Sequence, residues 1–156
     1  MSRDNAEWIA GVCALNLDDP ESPDLLAGFV RDYGVKTLRS VPGDERRTFD
    51  HDGVRALWRQ CADIGATVDI FLMCREHAAS AETLIEYFPD LKVGFCHCMD
   101  LKPGPEYDEV LRLSRFDNLV AEVDFIGTGS ETGYPCEELH AAAVKIIDAY
   151  GPDRCV

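Results

Sequence analysis

The stretch KVGFCHCMD, residues 92–100, places His97 between Cys96 and Cys98. Imidazole and thiolate side chains both bind zinc, and a histidine also transfers protons near neutral pH. The stretch has the composition of a β-strand, in which successive side chains point to opposite faces. We therefore predict that the two thiols pack against covering helices while His97 faces a polar interior. This separation argues against one metal ion bound by all three residues and makes His97 the candidate catalytic residue.

Polar side chains alternate with apolar ones in three further β-rich runs. Thr37 and Arg39 share one face of VKTLRSVP, and Asp69 lies on the polar face of TVDIFLM. Glu122 and Asp124 share one face of NLVAEVDFI. Arg39 is a candidate substrate-binding residue, because a guanidinium can orient a carboxylate through two hydrogen bonds. Asp124 is a second candidate, with Glu122 beside it, and an interior ion pair with Arg39 is the alternative. For Asp69 we expect a position low in the interior and a packing role.

The remaining histidines and glycines carry weaker signals. His51 is interpreted as a helix-entry residue and His140 as part of the surface of the last helix. His77 follows the third β-rich run and would reach the same end of the sheet, where Cys74 would be a substitute metal ligand. The glycine-rich segment at 127–133 lacks the spacing of a dinucleotide site and the lysine of a P-loop.

Five β-rich runs alternate with helical patterns along the chain. The runs begin near residues 8, 35, 67, 91 and 118. Helices are predicted from Ser22 to Gly34, from Asp52 to Gly65, over 80–88, after Pro105, and from Pro135 to Gly151. In the first helix, Ser22 is the expected N-cap. Connections of this length join parallel strands by crossovers, so the fold class is α/β.

Two architectures fit this alternation: a flavodoxin-like open parallel sheet and a partial (β/α)8 TIM-like barrel of about five βα units. Central strands of an open sheet are covered on both faces and read as nearly continuous apolar runs. The runs in this chain have one apolar face and one partly polar face. This pattern favours the barrel, in which polar side chains line the interior and active sites lie at the C-terminal ends of the strands. We expect residues 1–156 to form a single domain, an incomplete barrel.

Composition limits the partners. The chain has 156 residues and a net charge of −14, which disfavours nucleic acid and anionic membranes. No apolar run approaches the roughly 20 residues that a membrane helix needs. The first residues lack the pattern of a secretory signal, so we expect a cytoplasmic location. The seven cysteines form no CxxC pair, which fits free buried thiols in a reducing compartment.

Several segments resemble the amidohydrolase-related family (amidohydrolase family 2) of metal-dependent hydrolases and decarboxylases. LIEYFPDLKVGFCHCMD resembles the segment around the sixth barrel strand of that family, which ends in an active-site histidine. GVKTLRSVP and VRALWRQCADIGATVDI resemble the regions of the fourth and fifth strands. DNLVAEVDFIG is similar to the seventh strand, and IIDAYGPDRCV is similar to the approach to the eighth. The resemblance runs from about residue 9 to residue 156.

The resemblance implies a barrel with a catalytic divalent metal, usually zinc. The family binds it with a His-x-His pair on strand one, histidines on strands five and six, and an aspartate on strand eight. His97 matches the strand-six histidine, whereas the strand-five position falls at about Phe71, which cannot bind a metal. The chain contains no His-x-His pair, and the strand-eight aspartate would lie beyond Val156. It therefore looks like a partial copy of about strands three to eight. We assign no residue of this chain as a metal ligand, and the resemblance leaves open whether the chain binds the divalent metal, usually zinc, of the full-length family.

The expected function is a metal-dependent hydrolase of the amidohydrolase type, or a decarboxylase, acting on a small carboxylated or cyclic substrate. His97 would then be an acid/base or substrate-contacting residue in a truncated or catalytically incomplete chain. Open sheet edges would favour pairing with a second copy. The alternative is a non-catalytic, flavodoxin-like binding or regulatory domain, for which LDD at 17–19 is the candidate acidic cluster.

Overall fold

The sheet is parallel and its five strands lie side by side in chain order. The computed structural model describes residues 5, 9–41, 48–71, 75–97, 105–124 and 130–156. The strands are β1 (Gly11–Cys13), β2 (Val35–Ser40), β3 (Thr67–Ile70), β4 (Val93–Phe95) and β5 (Leu119–Ala121). The helices are α1 (Ser22–Tyr33), α2 (Asp52–Ile64), α3 (Arg75–Tyr87), α4 (Pro105–Arg112) and α5 (Glu137–Tyr150).

The strand order distinguishes the two architectures. A flavodoxin-like sheet reverses direction at a switch point and has the order 2-1-3-4-5, whereas this sheet has the order β1-β2-β3-β4-β5. Each of the five helices contributes buried residues to one core, for example Leu26, Trp58, Leu84, Val110 and Ile146. The helices therefore cover one face of the sheet. Over the described residues the partial TIM-like barrel is confirmed, and the open-sheet alternative is wrong.

Two rows of small and apolar side chains form the helix-covered face. The first row joins Leu38, Val68, Val93 and Leu119, which stand level with one another on β2 to β5. Each of these side chains is at most 1% exposed. The next row begins at Ser40, whose hydroxyl accepts a hydrogen bond of 2.9 Å from the buried indole of α2. Burial of such side chains contributes about 1.5–3 kcal/mol each and fixes which face of every strand is turned inward.

Glycines end the first two helices, as predicted. Gly34 and Gly65 both have φ of 70°, a left-handed conformation that glycine adopts without a Cβ penalty. The start of α1 differs from the prediction, because Glu21 occupies the N-cap position and Ser22 is the first helical residue. The Ser22 hydroxyl instead donates a 2.7 Å hydrogen bond to the carbonyl oxygen of Asn16.

The start of α2 is held against the loop that follows β1. His51 is its N-cap, and Nδ1 of His51 accepts a 3.1 Å hydrogen bond from the backbone N–H of Gly53. The prediction of a helix-entry histidine is confirmed. A Cβ added at Gly53 would overlap the carbonyl oxygen of Leu17, so only glycine lets the loop approach this closely.

The facing of β4 was predicted wrongly. Strand alternation counted back from His97 predicts that Val93 and Phe95 face the polar interior, but both are buried in the helix-covered core, and the Phe95 ring lies 5.4 Å from the Tyr150 ring. Gly94 lies level with Asp69 on β3, and a side chain at this position would point to the interior. That prediction treats residues 91–98 as one extended strand, whereas β4 ends at Phe95.

Five of the seven cysteines lie among the described residues, and each of these is a free thiol. The described free cysteines are Cys13, Cys61, Cys96, Cys136 and Cys155. Cys74 and Cys98, with the predictions made for them, lie outside the described residues. Among the described segments, no helix is both long and apolar enough to cross a bilayer.

Candidate active site

A histidine and an aspartate meet just past the C-terminal ends of β4 and β5. The backbone N–H of His97 donates a 2.8 Å hydrogen bond to Oδ1 of Asp124, and Nδ1 of His97 lies 3.2 Å from the same oxygen. An ionised Asp124 therefore selects the tautomer that carries the proton on Nδ1, which leaves Nε2 unprotonated. An imidazole in this state can accept a proton from water.

The backbone of β5 continues into this pair. The N–H of Glu122 donates to the carbonyl oxygen of Phe95 at 3.0 Å, and the N–H of Val123 donates to that of Val156 at 2.7 Å. These two bonds tie the backbone immediately before Asp124 to Phe95 on one side of β5 and to Val156 on the other side. The position of the carboxylate is thus set by the sheet rather than by a long loop.

His97 has a left-handed backbone conformation, with φ of 62°. Such a conformation is uncommon for residues other than glycine, and strained residues cluster at functional sites. It interrupts the strand alternation after Phe95 and returns the imidazole to the polar side of the sheet. The His97 ring lies 5.6 Å from the Phe71 ring in an edge arrangement and is 22% exposed. The predicted polar-side position of His97 is therefore observed, although the strand alternation used to predict it does not apply.

A second pair of charged residues lies on the same interior face, on β2 and β3. Arg39 on β2 stands level with Asp69 on β3, and Nε of Arg39 lies 2.7 Å from Oδ2 of Asp69. The Asp69 side chain is 7% exposed, whereas that of Arg39 is 33% exposed. Nη1 of Arg39 also donates to the Cys96 sulfur at 3.2 Å. The ion pair considered between Arg39 and the acids of the last β-rich run is made with Asp69 instead.

Burial dominates the ionisation of Asp69. It raises the pKa of the Asp69 carboxyl above its usual value, and the nearby Arg39 guanidinium opposes this without cancelling it. Oδ1 of Asp69 is buried and accepts no hydrogen bond from any described residue. Among the described residues, the Asp69 carboxylate is therefore held by Arg39 through Oδ2.

Glu122 lies over a gap in the interior face. A Cβ added at Gly94 would stand 3.0 Å from Oε1 of Glu122, so the glycine makes room for this carboxyl. Burial raises the pKa of Glu122, and the charges of Asp69 and Asp124 raise it further. Burial also raises the pKa of the Cys96 thiol to about 12. This thiol therefore stays protonated near neutral pH and is not a nucleophile.

The described residues do not fit the metal site that the sequence resemblance implies. Within the described segments, no group of three His, Cys, Asp or Glu side chains is arranged to hold a metal ion. Phe71, at the position where the resemblance implies a strand-five histidine, has its ring 5.6 Å from the His97 ring. Nδ1 of His97 contacts Asp124.

Two other histidines lie away from this site. His77 is fully buried and packs edge-on against Phe49 at 5.8 Å, so the expectation that it reaches the mouth of the barrel is wrong. His140 is exposed on α5, as predicted, and its Nε2 lies 2.9 Å from the carbonyl oxygen of Pro135. The glycine-rich loop is described only from residue 130 onward.

Sequence reasoning did not predict the contact between Asp69 and Arg39, and it assigned no role to Gly94. The contact between Asp69 and Arg39 depends on strand register, because Thr37 pairs with Thr67 and places the two charged residues level. A parallel pairing that aligned the alternating runs of the two strands would have predicted it. No sequence pattern could have predicted the role of Gly94. The space left by a missing side chain matters only when a neighbouring side chain fills it, and the sequence does not show which neighbour does so.

Solved structures resemble this chain over nearly its whole length. A protein named as a probable 2-pyrone-4,6-dicarboxylic acid hydrolase from Acinetobacter baumannii, crystallised with citric acid, aligns with a TM-score of 0.78 at 12% identity. A protein given the same name provisionally, from Pseudomonas putida, aligns with a TM-score of 0.64 at 22% identity. The alignments cover 99% and 94% of this chain but 58% and 55% of those chains.

The sequence itself identifies the family. A search of curated proteins finds no match to this chain. The model of the amidohydrolase family, by contrast, matches residues 1–156. The sequential parallel sheet and the histidine past the end of β4 agree with that match. The chain belongs to the amidohydrolase family.

Proposed function

We propose that this chain carries a hydrolytic site for small cyclic esters that bear a carboxylate. The observation that carries the proposal is the His97–Asp124 pair, which lies past the C-terminal ends of β4 and β5 with Arg39 on the same interior face. Barrel enzymes place their catalytic groups at this end of the strands. The strained backbone of His97 also fits a residue whose orientation serves chemistry more than folding.

In the proposed reaction, Nε2 of His97 takes a proton from a water molecule as its oxygen attacks the ester carbonyl carbon. A new C–O bond forms to the water oxygen, and the ring C–O bond breaks. The protonated His97 then returns the proton to the leaving oxygen, so the product is an open-chain hydroxy acid, whose new hydroxyl group is an enol when the substrate is a 2-pyrone. Asp124 stabilises the imidazolium and keeps Nδ1 protonated throughout. Asp124 thereby acts on His97, and its second oxygen remains a candidate substrate contact.

Arg39 supplies the cation for the substrate carboxylate. Its side chain is one-third exposed towards the interior, and its guanidinium is always charged. Binding the carboxylate at a fixed point would orient the ester carbonyl relative to His97, which is how positioning lowers a reaction barrier. The two structural neighbours are named for 2-pyrone-4,6-dicarboxylic acid, a cyclic ester with two carboxylates. Pyrone carboxylates are therefore the first substrates to try.

The test is an assay of the full chain with 2-pyrone-4,6-dicarboxylate, followed by loss of the pyrone absorbance and by mass spectrometry. Hydrolysis adds one water to the substrate, whereas decarboxylation, the other reaction implied by the family, releases carbon dioxide. Parallel assays with added zinc report whether the reaction needs the divalent metal that the family generally uses.

The variant His97→Gln should lower kcat by about 10²- to 10⁴-fold, the usual contribution of a general base. His140→Gln is the matched control, because His140 is an exposed histidine on α5. Its activity should equal that of the wild type. Full activity of His97→Gln, or a product without added water, would contradict the proposal.

A further inference from the structure

We propose that Asp69 is a positioning residue that fixes the Arg39 guanidinium so that its outer end receives one substrate carboxylate. The inference rests on the proposed function, because it names the residue that sets carboxylate selectivity at the same site. Asp69 itself does not contact the substrate in this account, and it acts through Arg39.

The contacts of Arg39 leave one end of the guanidinium available. Nε faces Oδ2 of Asp69 at 2.7 Å, and Nη1 donates to the Cys96 sulfur at 3.2 Å. An arginine has five N–H groups in a planar fork. The Nη2 group and the second N–H of Nη1 have no partner among the described residues. These donors form the end of the fork that can bind a carboxylate through two parallel hydrogen bonds.

Asp69 is suited to fixing this orientation. Its side chain is 7% exposed, so it has little freedom to move, and it stands level with Arg39 on the adjacent strand. Its Oδ1 accepts no hydrogen bond from the described residues, so the Arg39 contact is the main hold on the carboxylate. A buried ion pair is a poor way to stabilise a fold, because apolar side chains of similar volume usually serve as well or better. Its presence on the interior face therefore points to a role in orienting Arg39.

Charge and positioning predict opposite effects when Asp69 loses its charge. By Coulomb's law alone, Asp69→Asn makes the site more positive and strengthens binding of an anion. If Asp69 positions Arg39, the same variant weakens carboxylate binding despite the change in charge. Glu122→Gln is the matched control, because Glu122 is a carboxylate on the same interior face that is not the ion-pair partner of Arg39.

The experiment compares two ligands that differ in one group, 2-pyrone-6-carboxylate and 2-pyrone-6-carboxamide. Dissociation constants are measured by isothermal titration calorimetry for the full-length wild type and each variant. The ratio of the two constants isolates the part of binding that depends on the carboxylate charge. We expect Asp69→Asn to lower the preference for the carboxylate about tenfold, within the range of a lost charge-assisted hydrogen bond. Glu122→Gln should keep or increase it.

The result that overturns the inference is a carboxylate preference in Asp69→Asn that equals or exceeds that of Glu122→Gln. Hydrolysis is measured separately, so this result leaves the proposed function standing. A wild type that binds both ligands equally overturns the inference directly, and water addition then decides the proposed function. Should Asp69→Asn fail to fold, Asp69→Glu is the second variant. It keeps the negative charge but displaces the carboxylate that faces Arg39, so an unchanged preference would refute the inference, whereas a similar loss supports it.

Discussion

The left-handed backbone at His97 predicts an unusual order of stability between two variants. In His97→Ala the Cβ remains at φ of 62°, where an L-residue is disfavoured by about 1–2 kcal/mol. In His97→Gly the Cβ is absent, and this penalty disappears. Both variants lose the imidazole with its contacts to Asp124 and Phe71, and both keep the backbone N–H that donates to Asp124 at 2.8 Å. The comparison therefore isolates the backbone conformation.

Glycine normally destabilises a folded protein relative to alanine by about 0.5–1 kcal/mol, because the unfolded chain has more conformational freedom. At residue 97 the removal of the left-handed penalty exceeds this loss. We therefore expect His97→Gly to be more stable than His97→Ala by about 1 kcal/mol. Urea unfolding followed by tryptophan fluorescence measures the difference, since Trp58 is fully buried in the core.

Activity supplies the second half of the test. Both variants lack the proposed base, so both should show the same low kcat even though their stabilities differ. An alanine variant at least as stable as the glycine variant would refute the reasoning. It would show that residue 97 does not keep a left-handed backbone, and the explanation for the placement of the imidazole would fail with it.

Three further predictions follow from the site and its supports. Asp124→Asn should lower kcat about a hundredfold, because the protonated His97 loses its stabilising charge; an unchanged kcat would refute this. Gly53→Ala should lower the free energy of unfolding by about 3 kcal/mol or more, since a Cβ would overlap a loop carbonyl oxygen. Gly28→Ala, where a Cβ has only an ordinary contact, is the control in the same urea experiment. Glu122→Gln should flatten the pH dependence of stability. The pKa of Glu122 is raised in the folded state, so its stabilising contribution is present at low pH and is lost as the pH rises above about 4 through the raised pKa. Equal slopes for the two proteins in urea unfolding across that range would contradict this.

The sequence predicted the order of elements and most of the facing, because both depend on local patterns. Gly34 and Gly65 stop helices by a backbone preference that belongs to the residue itself. The alternation around Arg39 and Asp69 was read correctly because β2 and β3 are regular through those residues. The predicted runs were longer than the strands, since residues beyond the ladder keep a β-like composition without pairing.

The error at β4 has a different origin. Alternation predicts facing only while the backbone stays extended, and His97 leaves the extended region. Val93 and Phe95 are large and apolar and pack under the helices, which fixes the parity of the strand. The letters HCMD do not by themselves mark a left-handed residue, because this conformation is uncommon for residues other than glycine and depends on the contacts around it.

The contacts that hold His97 extend to the other side of β5. Cys155 forms a parallel bridge with Ala121, and the carbonyl oxygen of Val156 accepts the hydrogen bond from Val123. The residue after Val123 is Asp124. Its carboxylate contacts both the backbone nitrogen and the ring Nδ1 of His97, and these two contacts stabilise the left-handed turn. The hydrogen bonds along β5 therefore fix the position of the Asp124 carboxylate, and this carboxylate orients the His97 imidazole. Because the strain at residue 97 must be offset by these bonds, the orientation of the proposed base depends on the sheet on both sides of β5.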